Sequence, residues 1–198
     1  MRKMIAAACA LLLYSGVSQA TVIDFESLAR ATDIRHSVGS TYSEDGFTLT
    51  QDPIHFRQFS IFGTLDPRYP GSTALFNNQI GNLTRLTQVG GGLFSVDSIE
   101  LAELGGDDFL TVTFEGLLHG GGMVSQSFDL DASFGLELFE FNDSFTNLVS
   151  LEWLQGDTPH QFDNITVSST SVIPLPGTLP MLLGALALLT PLALRRRA

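Results

Sequence analysis

Two stretches of this chain alternate apolar and polar residues one by one, and that rhythm limits the fold more than any other feature. In Phe109-Leu110-Thr111-Val112-Thr113-Phe114, Leu110, Val112 and Phe114 fall on one face. Leu148 to Leu154 places Val149, Leu151 and Trp153 together and turns Ser150 and Glu152 away. A period of two belongs to a strand with one buried face. Further strand candidates are Val22 to Leu28, Gly46 to Gln51, Gln58 to Leu65, Thr84 to Val89, Leu93 to Leu101, Val124 to Leu130, Leu136 to Phe141 and Gln161 to Val167. Turn chemistry separates them: Asp66-Pro67, Pro70-Gly71, Gly90-Gly91-Gly92, Gly105-Gly106-Asp107 and Gly120-Gly121-Gly122. No amphipathic helix longer than about two turns shows at the 3.6-residue period, and no repeat of fixed period is present. The expected fold is all-β, an antiparallel β-sandwich with jelly-roll-like winding.

The two ends read differently from the middle. Residues 1–20 have a basic start (Arg2, Lys3), an apolar stretch from Ile5 to Tyr14 and a small-x-small exit at Ser18-Gln19-Ala20. This is the pattern of a secretory signal peptide, with cleavage expected after Ala20. The only cysteine, Cys9, lies inside it, so the mature chain is expected to have no disulfide, cysteine nucleophile or thiolate metal site. Residues 21–171 form a stretch of single-domain size. All 21 acidic residues fall there, opposed by Arg30, Arg35, Arg57, Arg68 and Arg85. So negative a domain argues against nucleic acid or anionic lipid as a partner. Ser168 to Val172 reads as the linker to the C-terminal tail.

Residues 172–198 open with Pro174-Leu175-Pro176, continue as the apolar run Leu179 to Leu194, and stop at Arg195, Arg196 and Arg197. As a transmembrane helix this run spans roughly 24 Å at about 1.5 Å per residue, against a hydrocarbon core of about 30 Å. Snorkelling arginine stems narrow that gap. The positive-inside bias keeps the arginines in the cytoplasm and puts everything before Pro174 on the far side of the membrane.

The order of P-x-P, short apolar helix and terminal arginine cluster resembles a PEP-CTERM sorting signal. The segment Val172-Ile173-Pro174-Leu175-Pro176-Gly177 is similar to the VPLPA-CTERM variant, with Ile173 inserted and Gly177 where alanine is usual. The resemblance covers only about the last 25 residues. It implies export by a bacterium that makes extracellular polysaccharide, transient anchoring in the inner membrane, and cutting near Pro174–Pro176 by an exosortase. A plain C-terminal membrane anchor is the alternative, although an anchor of about 20 apolar residues has no need of the P-x-P entrance, Pro180 or Pro191.

Within the domain, Ile23-Asp24-Phe25-Glu26, Asp45-Gly46-Phe47-Thr48-Leu49, Leu93 to Ile99 and Phe162-Asp163-Asn164-Ile165-Thr166-Val167 resemble strings of PEP-CTERM passenger domains. They also resemble jelly-roll modules of the galactose-binding and carbohydrate-binding kind. In such modules the first and last strands often lie side by side, and an acidic residue from each can hold structural calcium. The resemblance therefore implies Glu26 and Asp163 as ligands, with Asp24 a weaker third. Calcium takes 6 to 8 oxygens at about 2.3–2.6 Å, and no EF-hand or glycine-aspartate repeat is present. The competing reading has Asp163 and Asn164 satisfying backbone groups at a strand end.

Catalytic patterns are not visible. His36, His55, His119 and His160 never fall in a zinc-binding frame, and no G-x-S-x-G elbow occurs. Asp129 and Asp131 read as solvated, Trp153 as core, and the three sequons at Asn82, Asn142 and Asn164 as incidental. The chain is expected not to be an enzyme. Its expected role is that of an exported, exosortase-sorted cell-surface or matrix protein, with extracellular polysaccharide as a partner. The alternative is a secreted carbohydrate-binding module, with Tyr42 or Tyr69 as exposed loop aromatics. An enzyme would instead need a cleft with two facing carboxylates.

Overall fold

The computed structural model describes residues 20–104 and 109–170. The expected signal peptide, residues 1–20 save Ala20 itself, and the expected sorting tail with its transmembrane helix, residues 172–198, lie outside the described residues. Among the described residues no helix is long and apolar enough to cross a membrane.

Thirteen strands are formed among these residues. They are β1 (Ala20–Ile23), β2 (Arg35–Gly39), β3 (Thr41–Glu44), β4 (Phe47–Asp52), β5 (Phe59–Phe62), β6 (Leu75–Asn77) and β7 (Leu83–Gln88). Next come β8 (Leu93–Glu103), β9 (Leu110–Leu118), β10 (Met123–Leu130), β11 (Glu137–Glu140), β12 (Leu148–Leu154) and β13 (His160–Thr170). The all-β expectation is met, and every pairing is antiparallel.

One run of strands is β2-β5-β6-β13-β8, with β11 on the far edge of β8 and β1 alongside β13. The other is β3-β4-β7-β12-β9-β10. Their backbones touch through a single pairing, Leu148 with Phe94. Rings from the two runs meet face to edge between them. Trp153 of β12 stands at 90° to Phe162 of β13 at 4.9 Å, and Phe47 of β4 meets Phe94 of β8 at 5.5 Å. Phe114 of β9 contacts Trp153, Phe128 and Phe141. Such ring pairs add about 0.5–1.5 kcal/mol each beyond the area they bury. Trp153 is core, as expected, at 1 % exposure.

Four differences from the sequence reading have local causes. Val22 to Leu28 is not one strand: the Asp24 carboxylate accepts the Glu26 N–H at 3.0 Å, Phe25 takes φ 54°, and Glu26–Leu28 close a 3-10 turn. A side chain that satisfies its own backbone competes with a strand ladder in this way. In β12 the register shifts between Leu148 and Ser150, so Val149 is turned outward while Leu148, Leu151 and Trp153 enter the core. Ser150 and Glu152 do share a side, with Ser150 Oγ donating to Glu152 Oε1 at 3.1 Å. The expected linker begins too early, because Ser168 to Thr170 still belong to β13. Lastly, Asp163 and Asn164 sit at a mid-strand bulge and not at a strand end.

Candidate functional site

β13 gives the domain its two poles. It starts at His160, opposite Glu103, and ends at Thr170, opposite Leu93. Ala20 of β1 pairs with Ser168, so the first and last strands do lie side by side and both leave at the Thr170 pole. Leu75 of β6 pairs with Phe162 and Phe59 of β5 with Asn77, which carries the loop before Phe59 to the opposite, His160 pole.

The β13 bulge gathers the residues singled out for calcium. Asn164 takes φ 45°, its N–H donates to Asp163 Oδ1 at 2.8 Å, and its Nδ2 donates to Glu100 Oε2 at 2.8 Å. Asp163 is fully buried, and its Oδ2 has no hydrogen-bond partner. Burial, with the charges of Glu100 and Glu26 adding to it, pushes its carboxyl up to about 7. Glu26 is fastened differently. Ser72 Oγ donates to its Oε1 at 2.7 Å, and Thr73 donates from its N–H at 3.0 Å and from Oγ1 at 3.1 Å. The Thr73 N–H, helped by both hydroxyls, holds Glu26 below the usual carboxylate range. The Ser72 hydroxyl, which donates to Glu26, also lies near the Asp163 carboxyl, so Glu26 and Asp163 flank one serine. Asp24 does not join them: it caps Glu26 and lies by Glu44, whose carboxyl is raised by burial and by Asp24. Among the described residues, no three His, Cys, Asp or Glu side chains gather as a metal set.

A separate feature, which sequence reasoning missed, is a cleft of about 450 Å³ between β2 and the loop 53–58. Arg35, Ser37, Phe56, Arg57, Gln58 and Asn78 line it. Phe56 is 81 % exposed, the His55 ring lies 4.3 Å from it, and the Arg57 guanidinium stands 5.7 Å from its centroid. The loop is drawn toward the sheet by Gln51 Nε2, which donates to the Arg57 carbonyl at 3.0 Å. Ser37 Oγ donates to Gln58 Oε1 at 3.1 Å. The apolar residues Ile54 and Phe56 flanked by His55 and Arg57 are the available signal, hidden because no strand period marks them.

Other candidates resolve as structural. Tyr42 is a β3 residue and not a loop aromatic: its ring lies 5.4 Å from Phe25 and its hydroxyl 3.0 Å from Ser27 Oγ. Tyr69 is half-buried, in the segment between β5 and β6. Asp129 and Asp131 are exposed, as expected. Glu115 and Glu152 are cross-strand partners lining a smaller cleft of about 290 Å³. Glu152 Oε1 is taken there by Arg85 Nε at 2.6 Å and by Ser150, and Arg85 also pairs with Asp52. A carboxylate so held by a guanidinium is poorly placed to act as a general acid. His36 Nε2 lies 2.6 Å from Thr32 Oγ1, and His160 is buried without a partner for either ring nitrogen.

No protein-family model and no curated protein matches this sequence. Among solved structures, the chain is similar to variants of a family 29 carbohydrate-binding module made to probe ligand recognition. One has 9% sequence identity and a TM-score of 0.41, over 78% of this chain and 94% of that one. A second has 11% identity and a TM-score of 0.41, over 80% of this chain and 99% of the other. So remote a likeness carries nothing about sites or ligands.

Proposed function

We propose that this chain is an exported, exosortase-sorted surface protein whose β domain is non-catalytic and of jelly-roll-like winding, held outside the cytoplasm first by the inner membrane and then at the cell surface or in the matrix. The signal peptide ending at Ala20 and the tail with Pro174, Leu175, Pro176 and Arg195 to Arg197 support the reading. The observation that carries it is the pairing of Thr21, the first residue after the expected cleavage, with Val167 near the end of β13. A domain whose ends leave together can be tethered at one pole and present the other. Intact mass of the protein from cells with and without their exosortase tests the proposal. Loss of the tail only where the enzyme is present is expected. A tail retained in both overturns sorting and leaves the plain anchor.

The cleft at the pole away from the chain ends favours a second reading, a carbohydrate-binding module. An exposed aromatic beside hydroxyl, amide and guanidinium groups offers an apolar plate and polar edges, the combination a concave ligand site needs. Retention of the protein on a polysaccharide gel is expected, and passage through neutral and acidic gels alike would end this reading.

Calcium stays open on one observation: Asp163 Oδ2 is buried and unpartnered, on a carboxyl close enough to Glu26 to feel its charge. Glu26, Asp163 and the Ser72 hydroxyl are the oxygens that would hold the ion, with Asp24, whose Oδ1 accepts the Glu26 N–H, the weaker third. A bound ion must raise the melting midpoint. Calcium is expected to raise it, a chelator to reverse the rise, and Asp163→Asn to abolish it; no shift with calcium removes the ion from the reading.

A further inference from the structure

We propose that the cleft between β2 and the loop 53–58 binds a carboxylate-bearing polysaccharide, a chain containing uronic acid units. The inference rests on the carbohydrate-binding reading and adds the class of sugar. It starts from the distribution of cations in an acidic domain. Arg68 is spent on Asp66, with Nη2 to Oδ2 at 2.9 Å, and Arg85 on Asp52 and Glu152. Arg30 turns to the Ala29 carbonyl at 2.9 Å. Arg35 and Arg57 form no ion pair among the described residues, and both line the same cleft. In a domain carrying 21 acidic residues, two guanidinium groups left unneutralised around one cleft form a local site for negative charge.

The chemistry of the lining narrows what carries that charge. A guanidinium presents a planar fork of N–H donors that matches a carboxylate with two parallel hydrogen bonds. Phe56 is 81 % exposed, with the Arg57 guanidinium over its ring at 5.7 Å and the His55 ring 4.3 Å away, and the part of the ring they leave uncovered is an apolar surface against which the C–H face of a pyranose can lie. Around them Asn78, and Gln58, whose Oε1 is already taken by Ser37, supply amide groups for ring hydroxyls. A bare anion would leave the aromatic unused, and a neutral sugar would leave the arginines unused. A uronate uses both. The rest of the domain repels a polyanion, so binding depends on this one cleft and weakens with salt.

The test uses the full chain purified in mild detergent and three labelled polymers: polygalacturonate, a neutral galactan and dextran sulfate. Polygalacturonate is expected to bind, with roughly tenfold or greater loss in affinity for Arg35→Gln/Arg57→Gln. Phe56→Ala is expected to weaken it several-fold, and 0.5 M salt to reduce it as the arginine changes do. Both positions are exposed, so the melting midpoint of the variants should match that of the parent and shows that the loss is local. Binding of the galactan as tight as that of polygalacturonate, or a polygalacturonate affinity untouched by the double substitution, overturns the inference and leaves the carbohydrate-binding reading standing. Dextran sulfate binding as tightly as polygalacturonate overturns the carboxylate assignment, since any polyanion would then serve. Failure of all three polymers to bind overturns both readings together.

Discussion

The β9–β10 hairpin and the β5–β6 pair are both antiparallel and are buried in opposite ways. In the hairpin, Leu110, Val112 and Phe114 point into the main core while Thr111, Thr113 and Glu115 stand in water. Its outer side is decorated only by hydrogen bonds such as Thr113 to Ser127 at 2.8 Å. In β5 all four residues are buried, and in β6 all three. The segment between these two strands folds back over their outer side. Phe62 stacks on Phe76 at 4.9 Å and 19°, and Arg68 lies 4.0 Å above Phe62. The Asp66 carboxylate fixes Arg68 through Nε and Nη2 and takes the Arg68 N–H as well, each at 2.9 Å. One region thus has a single buried face and the other has two, the second supplied by its own connection. A strand's pattern reports how many sides are covered, as well as whether it is a strand.

The largest expected effect tests the shared inner side. Phe114→Ala opens a cavity among Trp153, Phe128 and Phe141 and should cost about 3–5 kcal/mol in denaturant unfolding. Phe62→Ala belongs at the lower end of that range, about 3 kcal/mol. A loss below about 1 kcal/mol would mean that the outer side of β5 is no second core. Next comes acid stability. His160 begins β13 beside the β6 end, fully buried, with Glu103 across the ladder on β8. Burial pushes its imidazole down to about 4 from an ordinary 6.5. The unfolded chain therefore binds the proton more readily, and the His160 contribution is fully present above pH 6.5 and lost as pH falls toward 4. The loss is on the order of 3 kcal/mol. His160→Leu, which removes two unpartnered nitrogens, should flatten that part of the stability curve. An unchanged slope would show the histidine to be hydrated.

Smaller effects sharpen the contrast further. A Cβ on Gly63 would collide with the Thr32 backbone, where Gly63 N–H donates to the Ile34 carbonyl at 3.0 Å and Leu65 N–H to that of Thr32 at 3.0 Å. Gly63→Ala should cost about 1–3 kcal/mol by lifting the covering segment. On the hairpin's outer side, Thr113→Ala should stay within about 0.5 kcal/mol. A larger loss there would mean that something covers this side too.

The contrast also explains which elements are legible in the sequence. β9 and β10 are legible because one-sided burial writes a period of two into the residues, β12 is legible as a strand although its shift between Leu148 and Ser150 turns Val149 against that period, and the start of β5 is legible because an apolar run between turns needs burial on both sides. β2, β3 and β6 are not. Arg35–Gly39 and Thr41–Glu44 carry few apolar residues, and Leu75–Asn77 is too short for any period to register. The resemblance of their strings to jelly-roll modules implies that Glu26 and Asp163 lie on neighbouring parts of the fold, but Ser72 and Thr73 cannot be added because no pattern links them to Glu26. The turn that aims Asp24 at the Glu26 N–H is not legible either, since it depends on a single left-handed residue, Phe25. The Arg35–Arg57 cleft is illegible for a simpler reason: the two arginines are joined only by the β2–β5 pairing, and β2 itself leaves no trace.

The three glycines that close the hairpin, Gly120, Gly121 and Gly122, at φ 88°, 96° and 98°, have consequences for how freely this surface can vary. All three occupy backbone territory that side chains avoid, so a loop there cannot acquire new chemistry by substituting residues in place. Diversification would have to come by insertion, lengthening the connection between β9 and β10 while leaving the paired strands in register. The loop 53–58 has no left-handed residue and can change its side chains one at a time, which makes it the part of the domain best suited to drift toward a new ligand.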